Sequence, residues 1–454
     1  MLLRFGVRNH RSIRDYQEIS FIASSLKDNQ EGLLRIHEQD REDENLDSLG
    51  SKLNVLPVLA IYGSNAAGKS TMLKAFEFFV EAIVRFHYRT AKNKGTPFSP
   101  FLLNDYSRYE SSQYDADFVL DDVRYHYGFS INEEQVLSEW LFSFNLASKR
   151  QTRSVLFHRD ISIDENYYFG KNLKGDNKRI AKSTRANNLF ICSAAQNAHP
   201  QLSEIYKYFS EGISTRLEQM DSPEVLTRQL LAYFGEDQKR KAIAFDFLKA
   251  AEIGISDIDF SKVPYEEKTK KLLVDVESFF LKHLDSRIET DVFQLKTEAK
   301  VLHIGENSKE YSIELKYESS GTLALLQILG PVFTKLNLGG VLVVDELNIC
   351  LHPLVSKELI KLFSSPITNP GKAQLIFSTH DTGMLSGGIL RRDQIWFVEK
   401  DKDGASSIYP LSDFKTRASD NFEKGYKEGR FGAAPDFNFF QQRFSKNIIG
   451  QEEE

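Results

Sequence analysis

Gly63-Ser-Asn-Ala-Ala-Gly68-Lys69-Ser70 constrains this chain more than any other stretch, because it matches the eight-residue phosphate-loop pattern in full. The flanks agree with it. Val55–Tyr62 is a continuous apolar run, which predicts a buried strand with Pro57 confined to its beginning. From Ser70 the period changes, and Met72, Phe76, Phe79, Val80 and Ile83 recur at helical spacing. Strand, glycine-rich loop and helix therefore follow in order. Backbone N–H groups from Gly63 through Ser64, Asn65, Ala66, Ala67 and Gly68 are expected to curl around nucleotide phosphates. Lys69 supplies the counter-charge, Ser70 a hydroxyl for Mg²⁺, and the helix entered at Thr71 its positive dipole end.

Downstream elements fit the same chemistry. Val341–Val344 predicts a second buried strand that presents Asp345 and Glu346 at its end. Asp345 is placed to hold Mg²⁺ through water, and Glu346 to orient or deprotonate an attacking water. Leu375-Ile-Phe-Ser-Thr-His380-Asp381 ends another strand with a histidine in position to sense a γ-phosphate. Glu318-Ser319-Ser320-Gly321-Thr322 opens a helix; its plain reading is an N-cap, and a Ser-Gly element there is also a ready phosphate ligand.

Alternating strand and helix signals predict an α/β fold: a P-loop ATPase head with a mostly parallel core sheet, an antiparallel β subdomain over 115–170 and a helical insertion. The expected segments are 1–195 (first half of the head), 196–298 (helical insertion), 299–415 (second half) and 416–454 (tail). Within the insertion, Leu202–Phe209, Val225–Phe234, Arg240–Ala251 and Lys271–Leu284 read as helices. Lys309–Tyr317 reads as a strand, and Thr322–Leu338 as a helix kinked at Gly330-Pro331.

Composition excludes several classes. Hydrophobic residues at 41% and charged residues at 27% are too apolar a mixture for disorder. No apolar stretch is long enough to span a bilayer, and Met1-Leu-Leu-Arg-Phe-Gly lacks the features of a signal peptide. Two cysteines, Cys192 and Cys350, cannot build a disulfide framework, so a reducing cytoplasm is expected. The net charge of −6 predicts no whole-molecule attraction to nucleic acid. Residues 149–185 carry ten Lys/Arg against four Asp/Glu, interleaved with Phe157, Tyr167, Tyr168 and Phe169. Solvated strand faces with inward aromatics account for that pattern better than a nucleic-acid groove. Asp401-Lys-Asp403-Gly404 superficially supplies a nuclease-type Asp-x-Asp, but Asp-Gly marks a hairpin turn between Gln394–Glu399 and Ser407–Leu411.

The ordered set Gly63–Ser70, Glu318–Thr322, Asp345–Glu346 and His380 resembles the ATP-binding-cassette heads of the SMC/RecF/OLD group. The resemblance implies that Ser319, Ser320 and Gly321 of one subunit cap the γ-phosphate held by the P-loop of another, with ATP as the glue of a head-to-head homodimer. A closer resemblance covers nearly the whole chain. Met1-Leu-Leu-Arg-Phe with Asn9 and Ser12, Pro100-Phe-Leu-Leu, Glu318-Ser-Ser-Gly-Thr, Asp345-Glu-Leu with Leu351-His352-Pro353, and Gly429-Arg-Phe-Gly-Ala resemble one group. It is the stand-alone, OLD-like AAA ATPases of bacterial anti-phage modules (PARIS-type, Septu-type and RloA-like). That resemblance implies an ATPase that controls a separately encoded nuclease or toxin and responds to a phage-derived protein or nucleic acid. Leu347–Pro353 is similar to the family's D-loop, with Asn348 and Cys350 where Asp and Ser are expected. Pro100–Asn104 stands where a Q-loop belongs, without a glutamine. The short stretch after His380 leaves little room for the metal-dependent nuclease domain of OLD proteins. An SMC/RecF-like repair ATPase that binds DNA directly is the alternative, which a neighbouring nuclease or recombination gene would decide.

Overall fold

The computed structural model describes residues 1–26, 28–36, 53–92, 95–146, 152–217, 221–235, 237–251, 254–264 and 295–435. The chain divides into two compact units. One comprises Met1–Leu217, Lys335–Asn348 and Ser356–Glu454, the other Glu218–Thr334 and Ile349–Val355.

Among the described residues, the first unit holds two large sheets and a short ribbon. In the core sheet, β5 (Val58–Tyr62), β11 (Ile213–Arg216), β15 (Val341–Val344), β16 (Gln374–Ser378) and β17 (Ile395–Lys400) run parallel, and β18 (Ser406–Pro410) returns antiparallel to β17. Their order is β11-β15-β16-β5-β17-β18. All five residues of β5 and all five of β16 are buried, as expected for parallel strands covered on both faces. The second sheet is antiparallel: β1 (Leu2–Arg8), β2 (Gln17–Ser20), β6 (Ser112–Leu120), β7 (Val123–Ile131), β8 (Val136–Asn145), β9 (Ser154–Asp160) and β10 (Tyr167–Phe169), in the order β10-β9-β8-β7-β6-β1-β2. A two-residue ribbon pairs β3 (Leu34–Arg35) with β4 (Asn54–Val55).

Helix Lys69–Lys92 joins the sheets through one apolar cluster. Phe79 stacks on Phe129 at 5.7 Å and meets Phe5 and Phe209 at 5.6 and 5.5 Å, so aromatic burial supplies much of this core. A polar clamp adds direction. The fully buried Gln374 side chain accepts the N–H of Leu2 at 2.7 Å and donates to its carbonyl at 2.8 Å, tying β1 to β16.

The second unit carries helices Pro223–Phe234 and Gln238–Ala250 against an antiparallel sheet of β12 (Ile255–Pro264), β13 (Leu295–Ile304) and β14 (Glu310–Glu314). Ser222 and Asp237 cap the two helices through their side chains, which satisfies N–H groups that the helices leave open.

Several elements differ from their expectation. The run Val55–Tyr62 breaks into β4 and β5 at Leu56-Pro57: Pro57 has no N–H to give, and only its carbonyl pairs, with Leu375 at 2.8 Å. The stretch that reads as helical also contains β11 and β12. Lys309–Tyr317 is strand only to Glu314, then a 3₁₀ turn over Leu315–Tyr317. Helix Ser320–Leu338 contains Pro331 within a single span. The expected helix Lys271–Leu284 lies outside the described residues. Asp401–Gly404 is the hairpin turn between β17 and β18, with Asp401 accepting the N–H groups of Asp403 and Ala405. In the basic stretch Phe157 is buried against Phe190, Tyr167 and Phe169 are half-buried, and Tyr168 is exposed.

Candidate functional site

The phosphate loop leaves the carboxyl end of β5 and enters helix Lys69–Lys92 directly. Its tight curl needs two left-handed residues, Ala66 (φ 61°) and Gly68 (φ 119°). Gly68 has a second reason to be glycine, since a Cβ there would stand 2.3 Å from Ser406 Oγ. Ser406, at the start of β18, donates to the carbonyl of Ala67 at 2.6 Å; its Oγ lies 2.9 Å from Ser12 Oγ, which in turn pairs with Thr71 Oγ1 at 3.1 Å. These serines brace the loop from behind. Asn65 and Ala66 are exposed at its tip, whereas Ser64, Gly68 and Ser70 are half-buried and Gly63 and Ala67 are buried.

Lys69 is only 5% exposed. Its ammonium donates to the carbonyls of Gly63 and Ser64 at 2.9 and 3.1 Å, which holds it across the mouth of the loop. Burial lowers its pKa, and the charges of Glu346 and Asp345 oppose that shift.

The acidic pair follows β15, two strands from β5. Asp345 receives the hydroxyl of Ser378 on its carboxylate and gives its backbone N–H to Arg216 at 2.9 Å. Glu346 stands at φ 54°, a conformation costly for a side chain of that size. Its N–H donates to Ser378 Oγ at 2.7 Å. His380 follows β16, the strand between the other two. Its pKa is lowered, first by desolvation and then by the Lys69 charge, against the pull of Glu346 and Asp345. Three neighbouring parallel strands thus deliver Lys69, Glu346, Asp345 and His380 to one place at their carboxyl ends, where open α/β sheets bind ligands.

Ser319, Ser320 and Gly321 belong to the second compact unit. Ser319 is the N-cap of helix Ser320–Leu338: its Oγ accepts the N–H of Thr322 at 3.1 Å and pairs with Thr322 Oγ1 at 2.9 Å. Both serines are exposed. A Cβ on Gly321 would lie 2.6 Å from the carbonyl oxygen of Cys350, so only glycine fits beside that loop. His303 Nε2 meets Glu318 Oε1 at 2.7 Å immediately before the element.

The donor set suits a hard divalent cation. Ser70 and Asp345 offer a hydroxyl and a carboxylate, oxygen ligands of the kind Mg²⁺ takes alongside phosphate oxygens and water. Sequence reasoning found the loop, the acidic pair and the histidine. Nothing local in the sequence signals the bonds that Ser378, Ser406 and the Asn348 side chain make, because their partners lie far away along the chain. Pro100–Asn104 is anchored by Asn9, which accepts the N–H of Phe101 at 2.9 Å, and Leu102 and Leu103 stand exposed.

Among the described residues, no helix is long and apolar enough to cross a membrane. Structural comparison matches SMC heads at low identity. A head bound to the C-terminal winged-helix domain of ScpA is 12% identical, covering 90% of this chain and 97% of that one, with a TM-score of 0.36. The SMC head domain from Thermotoga maritima is 13% identical over 90% and 98% of the two chains, also at 0.36. An SMC head with an extended coiled coil, bound to the C-terminal domain of ScpA derived from Pyrococcus furiosus, is 12% identical over 94% and 98%, again at 0.36. No curated protein matches the sequence. The family described as AAA domain, putative AbiEii toxin, Type IV TA system matches residues 58–386, a span running from the P-loop strand past His380. The chain belongs to that family of AAA domains.

Proposed function

We propose that this protein binds and hydrolyses ATP with Mg²⁺, and that ATP-dependent pairing of two copies controls a separately encoded nuclease or toxin in bacterial defence against phage. The observation that carries the reading is the meeting of Lys69, Asp345, Glu346 and His380 at the ends of three adjacent parallel strands. The family's description, with its abortive-infection-type toxin, supports the biological setting.

Each residue has a task on this reading. The loop N–H groups and the Lys69 ammonium hold the β- and γ-phosphates. Ser70 and Asp345 would hold Mg²⁺, which when bound neutralises charge on the transferred phosphoryl group. Glu346 orients the attacking water and accepts its proton. His380, kept neutral by its lowered pKa, offers a ring nitrogen to the γ-phosphate. Ser319 and Gly321 serve the nucleotide of a second copy, so the closed pair forms only around ATP. Phage protein or nucleic acid is the trigger, and a partner effector reads the closed state.

The test joins both levels. ATP turnover and solution mass are measured with and without ATP, and the protein is isolated from its native host with the flanking gene intact. ATP-dependent pairing and co-isolation of a nuclease or toxin support the proposal. Turnover without pairing, or co-isolation of recombination proteins instead, overturns the regulatory part.

A further inference from the structure

We propose that Ser378 is the positioning residue of the acidic pair, setting how Asp345 and Glu346 face the metal and the attacking water. The inference rests on the nucleotide and Mg²⁺ reading of the site. Ser378 is fully buried at the last position of β16, next to both the P-loop strand and the Asp-Glu strand. Its hydroxyl has one proton, which goes to Asp345 Oδ1. Its oxygen accepts the N–H of Glu346 at 2.7 Å, and its backbone carbonyl accepts the N–H of Leu347 at 3.0 Å. Three consecutive residues of the acidic loop are therefore registered on one serine.

The consequences for the two carboxylates differ. Donation to Oδ1 requires Asp345 to be an acceptor there, which fixes the plane of the carboxylate and leaves Oδ2 for a metal-bound water. Glu346 depends on the same oxygen through its backbone. At φ 54° it occupies a sparsely populated conformation, and such a conformation persists where surrounding bonds over-determine it. The N–H bond to Ser378 Oγ is one of those bonds. Removing the hydroxyl frees the Asp345 carboxylate to rotate and leaves the half-buried Glu346 amide short of its acceptor. Neither change touches Lys69 or the backbone of the phosphate loop.

That separation makes the role testable in the full chain with Ser378→Ala and Ser378→Thr. A fluorescent ATP analogue titrated in EDTA reports the P-loop alone. Mn²⁺ titrated into the nucleotide-bound protein, followed by electron paramagnetic resonance, reports the metal. In Ser378→Ala the analogue should bind within about twofold of wild type, while half-saturating Mn²⁺ rises and kcat falls by about tenfold each, the loss of one charge-assisted hydrogen bond. Ser378→Thr, which restores a hydroxyl, should recover both. Wild-type Mn²⁺ affinity and kcat in Ser378→Ala overturn the inference, as does a lower melting temperature with unchanged Mn²⁺ affinity. Failure of wild type itself to bind Mn²⁺ with nucleotide instead refutes the reading of the site.

Discussion

The side-chain oxygen of Asn348 accepts the hydroxyl of Thr379 at 2.8 Å, which locks the loop after the acidic pair to the strand end that carries His380. The backbone N–H of His380 points at the same oxygen from 3.4 Å. An N–H can only donate, so the oxygen of the carboxamide, not its nitrogen, must face this strand end. A carboxylate at position 348 would accept equally well. Asn348→Asp should therefore keep ATP turnover within about twofold, whereas Asn348→Ala should lower kcat several-fold, on the order of one hydrogen bond. Steady-state kinetics of both variants check this; equal losses would remove the acceptor argument.

Lys69→Ala should weaken nucleotide binding by on the order of 30- to 100-fold, the worth of one strong charge-assisted contact. The variant also loses two local bonds, to the carbonyls of Gly63 and Ser64, so its melting temperature belongs beside the binding isotherm. Undiminished affinity in a folded variant would be incompatible with the P-loop assignment.

Glu346→Gln should bind ATP normally and hydrolyse it about 10²–10⁴-fold more slowly, as expected when a general base is removed. Closed pairs should then accumulate with ATP and be seen by light scattering coupled to size exclusion. A variant that turns over at the wild-type rate moves the base elsewhere.

Ser319 is exposed, and among the described residues its hydroxyl is engaged with Thr322 alone. If it serves a neighbour's nucleotide, inactive Lys69→Ala and Ser319→Arg proteins mixed in one dimer should regain a measurable fraction of activity, because one composite site is then intact. No recovery in a proven mixed dimer argues for action within one chain.

Legibility tracked the length scale of each interaction. Lys69, Asp345, Glu346 and His380 could be read because each sits in a local pattern: a complete glycine loop, or an apolar strand with polar residues at its end. The braces could not. Ser406 is one serine of a short strand, and nothing near it in sequence says that it will bond Ala67 and Ser12. Ile213–Arg216 follows a helix without a turn signal and becomes a strand because β15 offers it a parallel edge. Its register is a tertiary fact, beyond any window of neighbouring residues.

Acid should find a weak point at His10. This residue is 2% exposed, bonds Tyr114 Oη at 2.8 Å, and has its pKa pushed down to about 3 by burial and then by Arg11. Below its ordinary value of 6.5 the unfolded chain takes up a proton that the folded chain refuses until about 3. Stability conferred by a neutral His10 is thus complete above pH 6.5 and declines as pH falls through that window; at pH 5 the loss is about 2 kcal/mol. His10→Gln should flatten this part of the pH dependence of urea unfolding. An identical pH slope in variant and wild type would count against it.

The position of β5 has a consequence for how the protein is made. Its two neighbours in the sheet, β16 and β17, both come from the last part of the chain. At roughly 5–20 residues per second, a ribosome exposes Val58–Tyr62 for on the order of 15–60 s before either flank emerges. An apolar strand with two open edges is a template for wrong pairing during that interval. A nascent or truncated chain lacking β16 and β17 consequently has no sheet on which to hold a phosphate loop. A phosphate loop held in its sheet therefore arrives late in synthesis.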